Sequence, residues 1–290
     1  MTHIIDGKII ASQLQESLKQ QIITLQTDKN ITPHLAVIIV GDDPASQVYV
    51  ASKERNAKNI GMKSTLIRLA DNVSQSELNQ HITDLNNDKL VHGILVQLPL
   101  PKHLDEEMVI NLIDPKKDVD GFHPINVGYL HNGQANKALT PCTPTGSIIL
   151  LKSFCSDLSG KHAVVVGRSN IVGRPIAEML LQENCTVTIA HSRTQNLGDI
   201  CKQADILIAA VGKPHFIKAD WVKNNAIIID VGINRIHNTE TGKSKLVGDV
   251  DFDAVQVKTA AITPVPGGVG PMTIACLLQN TIKAASLSIA

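Results

Sequence analysis

The chain has 290 residues, 43% apolar and 19% charged, a globular composition with room for one large or two ordinary domains. Lys plus Arg (27) equals Asp plus Glu (27) and aromatic residues make up only 2%, so neither bulk charge nor a stacking surface points to nucleic acid. No apolar run reaches membrane-spanning length, the five cysteines form no C-x-x-C and the histidines no H-x-x-x-H, so neither membrane nor metal is expected.

The opening MTHIIDGKII carries Asp6 and Lys8 and no apolar h-region, which points to a cytoplasmic protein with reduced thiols. Beyond it, Ile10, Leu14, Leu18, Ile22 and Leu25 form a helical stripe. Residues 35–40 read as a strand. Asp43 can then cap, and Pro44 start, a helix running to Gly61. Tyr49 and Lys53 lie four apart on that helix and share a face. After a strand at 64–69, Ser74 to Glu77 read as a capping box opening a helix to about Asn87. Gly93–Val96 is a third apolar strand with Gln97 at its carboxyl end, where Pro99 and Pro101 stop it. DEEMVINLI continues as a helix, and DPKKDVDGF is a charged turn holding Asp118 and Asp120.

Pro141 to Pro144 and an apolar helix to about Phe154 lead into a second part, where strands at 163–166, 186–190, 206–211, 226–230 and 261–263 alternate with helices. That alternation predicts an α/β fold: a Rossmann-like doubly wound parallel sheet in the C-terminal domain, a smaller α/β sheet in the N-terminal one. The strand 163–166 ends at Gly167. Gly173 follows six residues on, and Pro175 opens an amphipathic helix as its first residue. Such a turn aims backbone N–H groups and the helix dipole at one point, as a phosphate requires. Ser169 stands where G-x-G-x-x-G has its second glycine, and Arg174-Pro175 rules out a P-loop, so an ordinary βα turn is the competing reading.

The next strand ends in His191-Ser192-Arg193-Thr194, where an NAD enzyme usually carries Asp or Glu for the ribose hydroxyl. A neutral-to-basic end, with Arg168 beside the first glycine, favours the 2′-phosphate of NADP; plain solvated arginines are the alternative. The loops Gly212-Lys213-Pro214 and Val231-Gly232-Ile233 follow strand ends, and a Gly/Pro loop over 263–271 precedes a last helix at 272–287. In the first half, Lys53 also reads as a solvated lysine, Gln97 as a partner for the proline-bent backbone, and Asp118 and Asp120 as turn formers.

Taken together, YVASK (49–53), VQLPLP (96–101), KDVDGF (117–122), TPCTPTG (140–146), VVGRSNIVGRP (165–175) and PVPGGVGPMT (264–273) resemble the bifunctional bacterial methylenetetrahydrofolate dehydrogenase/cyclohydrolase family, in order and over essentially the whole chain. The resemblance implies a folate-binding catalytic domain at 1–145, rejoined by the C-terminal helix 272–290, and an NADP-binding domain at 146–271. It implies a homodimer formed through the nucleotide domain and a site in the cleft between domains. It makes Lys53 the catalytic lysine, Gln97 its hydrogen-bond partner, Tyr49 a platform for the folate and Asp120 an anchor for the pterin. It puts Gly167, Arg168, Ser169, Ser192 and Ile233 on the dinucleotide, and Gly267, Gly268 and Pro271 near the folate. The implied chemistry is NADP-dependent oxidation of 5,10-methylenetetrahydrofolate to the methenyl cation, then hydrolysis to 10-formyltetrahydrofolate. Two rivals remain at this point: an NAD(P)-dependent dehydrogenase of a small amino or hydroxy acid, and a non-catalytic NADP-binding sensor.

Overall fold

The computed structural model describes residues 2–237 and 244–288. The chain begins with β1 (His3–Ile4), α1 (Gly7–Lys29), β2 (His34–Val40), α2 (Pro44–Asn59), β3 (Lys63–Leu69), α3 (Gln75–Asn87) and β4 (Gly93–Val96). Three helices follow, α4 (Glu106–Leu112), α5 (Pro124–His131) and α6 (Cys142–Phe154). Then come β5 (His162–Val166), α7 (Gly173–Gln182), β6 (Thr186–Ala190), α8 (Leu197–Cys201), β7 (Ile206–Ala209) and β8 (Ile227–Asp230). A hairpin, β9 (Asn234–His237) and β10 (Ser244–Val247), precedes α9 (Phe252–Gln256), β11 (Ala261–Ile262) and α10 (Val269–Leu287).

Two compact units result, Gln13–Cys142 with Ile274–Ala290, and Met1–Ser12 with Thr143–Thr273. The first holds a three-stranded parallel sheet in the order β3-β2-β4. Strands β2 and β4 are buried along their whole length, so their sequences HLAVIIV and GILV are nearly continuous apolar runs, as helix-covered parallel sheets demand. Ile38, Ile94 and Val96 pack with Leu78 and Ile82 of α3 and Val109 of α4. The caps form as read: the Asp43 carboxylate accepts from the N–H of Ser46 at 2.8 Å, and Ser74 Oγ from that of Glu77 at 3.2 Å. Lys117 Nζ donates to the carbonyls of Leu85, Asn86 and Asp88 at 2.8–3.0 Å, tying the end of α3 to the turn that carries Asp118 and Asp120.

A histidine pair closes the amino-terminal end of this sheet. The N–H of His34 donates to His92 Nδ1 at 3.2 Å, and the His34 ring meets the Leu90 carbonyl at 3.1 Å and Thr65 Oγ1 at 2.8 Å. Burial, with Lys63 near one ring and His34 and Lys117 near the other, lowers both pKa values from 6.5. The unfolded chain therefore binds more protons below about pH 6.5, so this contribution to stability is full above that value and lost as pH falls through the lowered values. Thermal unfolding followed from about pH 7.5 to about pH 5.5 is expected to show a smaller loss of Tm in His92→Asn than in the natural chain. Equal losses would show that the pair does not govern the slope.

The second unit holds six parallel strands in the order β1-β11-β8-β7-β5-β6, with Val164, Val166, Leu207, Ala209, Ile228 and Ile262 in its core. The order reverses at β5, which has β6 on one side and β7 on the other; in open α/β sheets ligands bind at the carboxyl ends of strands at such a point.

Several local expectations need correction. Residues 1–12 do not join the first unit, because β1 pairs with β11 at the far edge of the six-stranded sheet. Helix α7 starts at Gly173, before Pro175, because Ser169 Oγ accepts from the N–H groups of Val172 (3.2 Å) and Gly173 (3.3 Å) and so caps it earlier. Helix α10 starts at Val269 and not Met272, with Pro271 in the first turn, where a missing N–H costs nothing. The helices α5, α8 and α9 and the hairpin were not foreseen.

Candidate active site

In the first unit, α2 follows β2 and presents Tyr49 and Lys53 one turn apart. Lys53 is only 8% exposed, unusual for a lysine, and its Nζ donates to Gln97 Oε1 at 2.9 Å. Gln97 is fixed at both ends. Its backbone N–H donates to the Ile38 carbonyl at 2.8 Å, and Nε2 donates to the Leu98 carbonyl at 2.7 Å, which leaves Oε1 turned to the lysine. The plainer readings, a solvated lysine and a glutamine serving the proline-bent loop alone, are thereby set aside. Tyr49 is 39% exposed, with a ring available for stacking, and partial burial raises its phenol pKa.

Asp120 stands in the turn after Lys117, whose carbonyl accepts from the N–H of Ile94 on β4. It lines a small pocket with Asp118, Phe122, Ile94, Leu95, Val96 and Leu98. Burial pushes its carboxyl up to about 6, the Lys53 charge opposing and Asp118 adding to the rise. Asp118 itself is buried and structural. It accepts from the N–H groups of Gly121 (3.2 Å) and His123 (2.8 Å) and from Asn126 Nδ2 (3.0 Å), which fixes the turn. Two residues the sequence reading passed over hold the same segment. Asn280 Nδ2 donates to the carbonyls of Val119 and Thr140, each at 2.8 Å, and the Cys142 thiol donates to the Val119 carbonyl at 3.2 Å. An Asn in an otherwise apolar helical face was the available signal for the first. Burial, then the Asp120 charge, raises the Cys142 thiol well above its ordinary pKa, so it stays protonated.

In the second unit, Gly167 ends β5 at φ +140°, and a Cβ there would lie 2.2 Å from the Ala210 carbonyl oxygen. A Cβ on Gly173 would lie 2.4 Å from the Gly167 carbonyl oxygen, so the turn closes only with hydrogen at both positions. Arg168 and Ser169 lie exposed on this turn, and Ser192 and Arg193 lie exposed after β6. The N–H of His191 donates to Thr194 Oγ1 at 2.8 Å and that of Arg193 to His191 Nδ1 at 3.2 Å, which shapes the second turn. Ile233 is exposed after β8. Gly267 lies beside Lys8, and the Gly268 carbonyl faces Gly7. Glycine-lined turns at the point where strand order reverses, with an arginine and a serine and no carboxylate at the end of β6, fit a dinucleotide with a 2′-phosphate.

Two buried aspartates behind these turns went unread in the sequence. Asp230, the last residue of β8, accepts from the N–H groups of Gly232 (3.0 Å), Asp249 (2.9 Å) and Val250 (2.9 Å). Burial lifts its carboxyl to about 7 against those donors, and Asp249 adds to the rise. Asp249 in turn accepts from the N–H groups of Val211, Gly212 and Lys213 and from Asn234 Nδ2. Among the described residues no cluster of three His, Cys, Asp or Glu could hold a metal, and no helix is long and apolar enough to cross a membrane.

Comparison with known proteins gives consistent matches. The model of the tetrahydrofolate dehydrogenase/cyclohydrolase catalytic domain matches residues 5–120, and that of the NAD(P)-binding domain of the same family matches residues 141–289. The bifunctional protein FolD of Rhodospirillum rubrum is 54% identical over 285 residues, covering 97% of this chain and 96% of that protein. The crystal structure of the bifunctional FolD enzyme from Campylobacter jejuni superposes with a TM-score of 0.94 at 49% identity, covering 99% of both chains. That of the Trypanosoma brucei enzyme, complexed with NADP and an inhibitor, superposes with a TM-score of 0.95 at 38% identity, covering 99% of this chain and 98% of that one.

Proposed function

The chain belongs to the tetrahydrofolate dehydrogenase/cyclohydrolase family, and from this we infer that it oxidises 5,10-methylenetetrahydrofolate with NADP and hydrolyses the methenyl product to 10-formyltetrahydrofolate. The small-acid dehydrogenase and the non-catalytic sensor have no support in the family match. The observation that carries the assignment is the buried Lys53–Gln97 pair, coupled electrostatically to Asp120.

Asp120 anchors the pterin, whose N3–H and 2-amino group are parallel donors that one carboxylate accepts together. Tyr49 stacks on the folate ring system. NADP, when bound, accepts the hydride from the methylene carbon. Departure of that hydride is driven by a folate nitrogen lone pair, so no side chain need move a proton in this step. Hydrolysis differs: attacking water must lose a proton, and a folate nitrogen must gain one before its bond to the carbon breaks. Lys53 takes the first proton and returns it for the second transfer, while Gln97 Oε1, which accepts from Nζ, orients the side chain.

Gly167, Arg168 and Ser169 hold the dinucleotide at the reversal point of the sheet, with Ser192 near the 2′-phosphate and Ile233 also in contact with the dinucleotide. Gly267, Gly268 and Pro271 serve the folate. The domains run 1–145 with 272–290 for folate and 146–271 for NADP, apart from the amino-terminal residues corrected above. The working form is a cytoplasmic homodimer. Support comes from the free cysteines and from an apolar edge: Ile189 on the edge strand β6 is 43% exposed, and Leu181 on α7 is 59% exposed.

Cofactor choice tests the nucleotide half. Charge-assisted hydrogen bonds to a 2′-phosphate are worth about 2–4 kcal/mol over a hydroxyl, so kcat/KM is expected to favour NADP tens- to several-hundred-fold over NAD. Equal efficiency with the two dinucleotides would remove Arg168 and Ser192 from their assigned roles.

A further inference from the structure

Asp249 is fully buried and gathers four donors on one carboxylate. Its Oδ2 accepts from the N–H groups of Val211 at 2.6 Å and Gly212 at 2.9 Å, and its Oδ1 from the N–H of Lys213 at 2.8 Å and from Asn234 Nδ2 at 2.9 Å. Three consecutive backbone N–H groups are thus spent on one side chain, directly beyond β7. That turn adjoins Gly167, whose missing side chain leaves room for the Ala210 carbonyl. The fit on the other side is equally close, since a Cβ on Gly232 would lie 2.2 Å from Asp249 Oδ1. Asp230 completes the set by holding the N–H groups of Gly232 and Asp249, and its own N–H donates to Thr263 Oγ1 at 2.8 Å. One carboxylate therefore fixes the turn after β7, and the next fixes both that carboxylate and the turn after β8.

We propose that Asp249 is a positioning residue for the dinucleotide, acting through the backbone of 211–213 and of Gly232 to hold the turns after β7 and β8 in their cofactor-receiving shape. The proposal rests on the placement of the dinucleotide at these strand ends. Asparagine at 249 is nearly isosteric but turns one acceptor oxygen into a donor aimed at N–H groups, so at least one of the four contacts becomes repulsive. The backbone of 211–213 must then shift, and displacements of about 1 Å at a positioning element cost on the order of tenfold or more in affinity or rate. Hydrolysis of methenyltetrahydrofolate takes its proton-transfer pair, Lys53 and Gln97, from the other unit and consumes no dinucleotide, so it reports folding and folate binding separately from cofactor binding.

The test is Asp249→Asn, measured three ways: the Kd of NADP by titration calorimetry, the KM of NADP in the oxidation, and the hydrolysis rate without any dinucleotide. The expected result is a rise on the order of tenfold or more in Kd and KM, with hydrolysis within about twofold of the natural chain. An unchanged Kd overturns the proposal, and so does an equal loss of oxidation and hydrolysis, which would make Asp249 a general stabiliser. Should Asp249→Asn not accumulate as folded protein, Asn234→Ala removes a single donor and is expected to raise the Kd about two- to threefold; no rise there overturns the proposal as well. Ser192→Ala separates the positioning role of Asp249 from the placement of the dinucleotide. If Asp249→Asn leaves the Kd unchanged while Ser192→Ala raises it, the positioning role falls and the placement of the dinucleotide stands; if neither raises it, the placement falls too.

Discussion

Lys53→Met is expected to abolish the hydrolytic activity while leaving part of the oxidation, so that methenyltetrahydrofolate accumulates. The two half-reactions make different demands on the protein. Hydride departure needs geometry, whereas hydrolysis needs a group that can take a proton from water and give one to nitrogen. Lys53 is buried, donates a hydrogen bond to Gln97, and its charge opposes the rise in the Asp120 pKa. Methionine preserves length and packing but neither donates nor accepts a proton, and loss of a proton-transfer group costs on the order of 10²–10⁴ in rate. The check is the rate at which methenyl absorbance decays when the variant is given methenyltetrahydrofolate alone. Equal loss of both activities, with folate binding intact, would show that Lys53 also serves hydride transfer.

The second large effect concerns Asp120. Asp120→Ala is expected to raise the folate KM in both reactions, because both use the same bound pterin. Two charge-assisted hydrogen bonds at about 1.5–3 kcal/mol each set the loss in kcat/KM on the order of 10²-fold or more. Asp120→Asn should recover little, since it offers one acceptor and one unwanted donor to a two-donor edge. The natural enzyme should behave like the variant in acid. With the carboxyl pushed up to about 6, the accepting form is present above that pH, and kcat/KM for folate should fall as pH drops through it. Damage confined to one activity would make Asp120 a participant in that step's chemistry and not an anchor.

Much of this arrangement was written in local sequence. Continuous apolar runs such as HLAVIIV and HAVVV announce buried parallel strands, and Asp43, Ser74 and Gly61 mark helix ends through caps that need only their neighbours. The lysine and glutamine were visible as positions, one on a helical face and one breaking an apolar strand, but their 2.9 Å contact joins residues 44 apart. The missed features share that long range. Two-residue β1 has too little length for a period, and it pairs with a strand more than 250 residues away. Helix α5, PINVGYLH, is short and nearly uniform in polarity, so no stripe reveals it. Asp230 and Asp249 carry no local signal, because the backbone N–H groups that define them come from three separate segments, 211–213, 232 and 249–250. Pro175 and Pro271 pointed to the correct helices but the wrong first residues, since each helix begins two residues before its proline, which sits in the first turn.

The central claim is that one protein performs oxidation and hydrolysis in sequence on the same folate. The most direct measurement is a time course with 5,10-methylenetetrahydrofolate and NADP, following NADPH and methenyl absorbance together and assaying 10-formyltetrahydrofolate at the end. NADPH and 10-formyltetrahydrofolate formed in equal amounts, with little methenyl intermediate in the natural chain and its accumulation in Lys53→Met, is the predicted result. NADPH formation that does not depend on the folate, or a methenyl product that the natural chain leaves unhydrolysed, would contradict it.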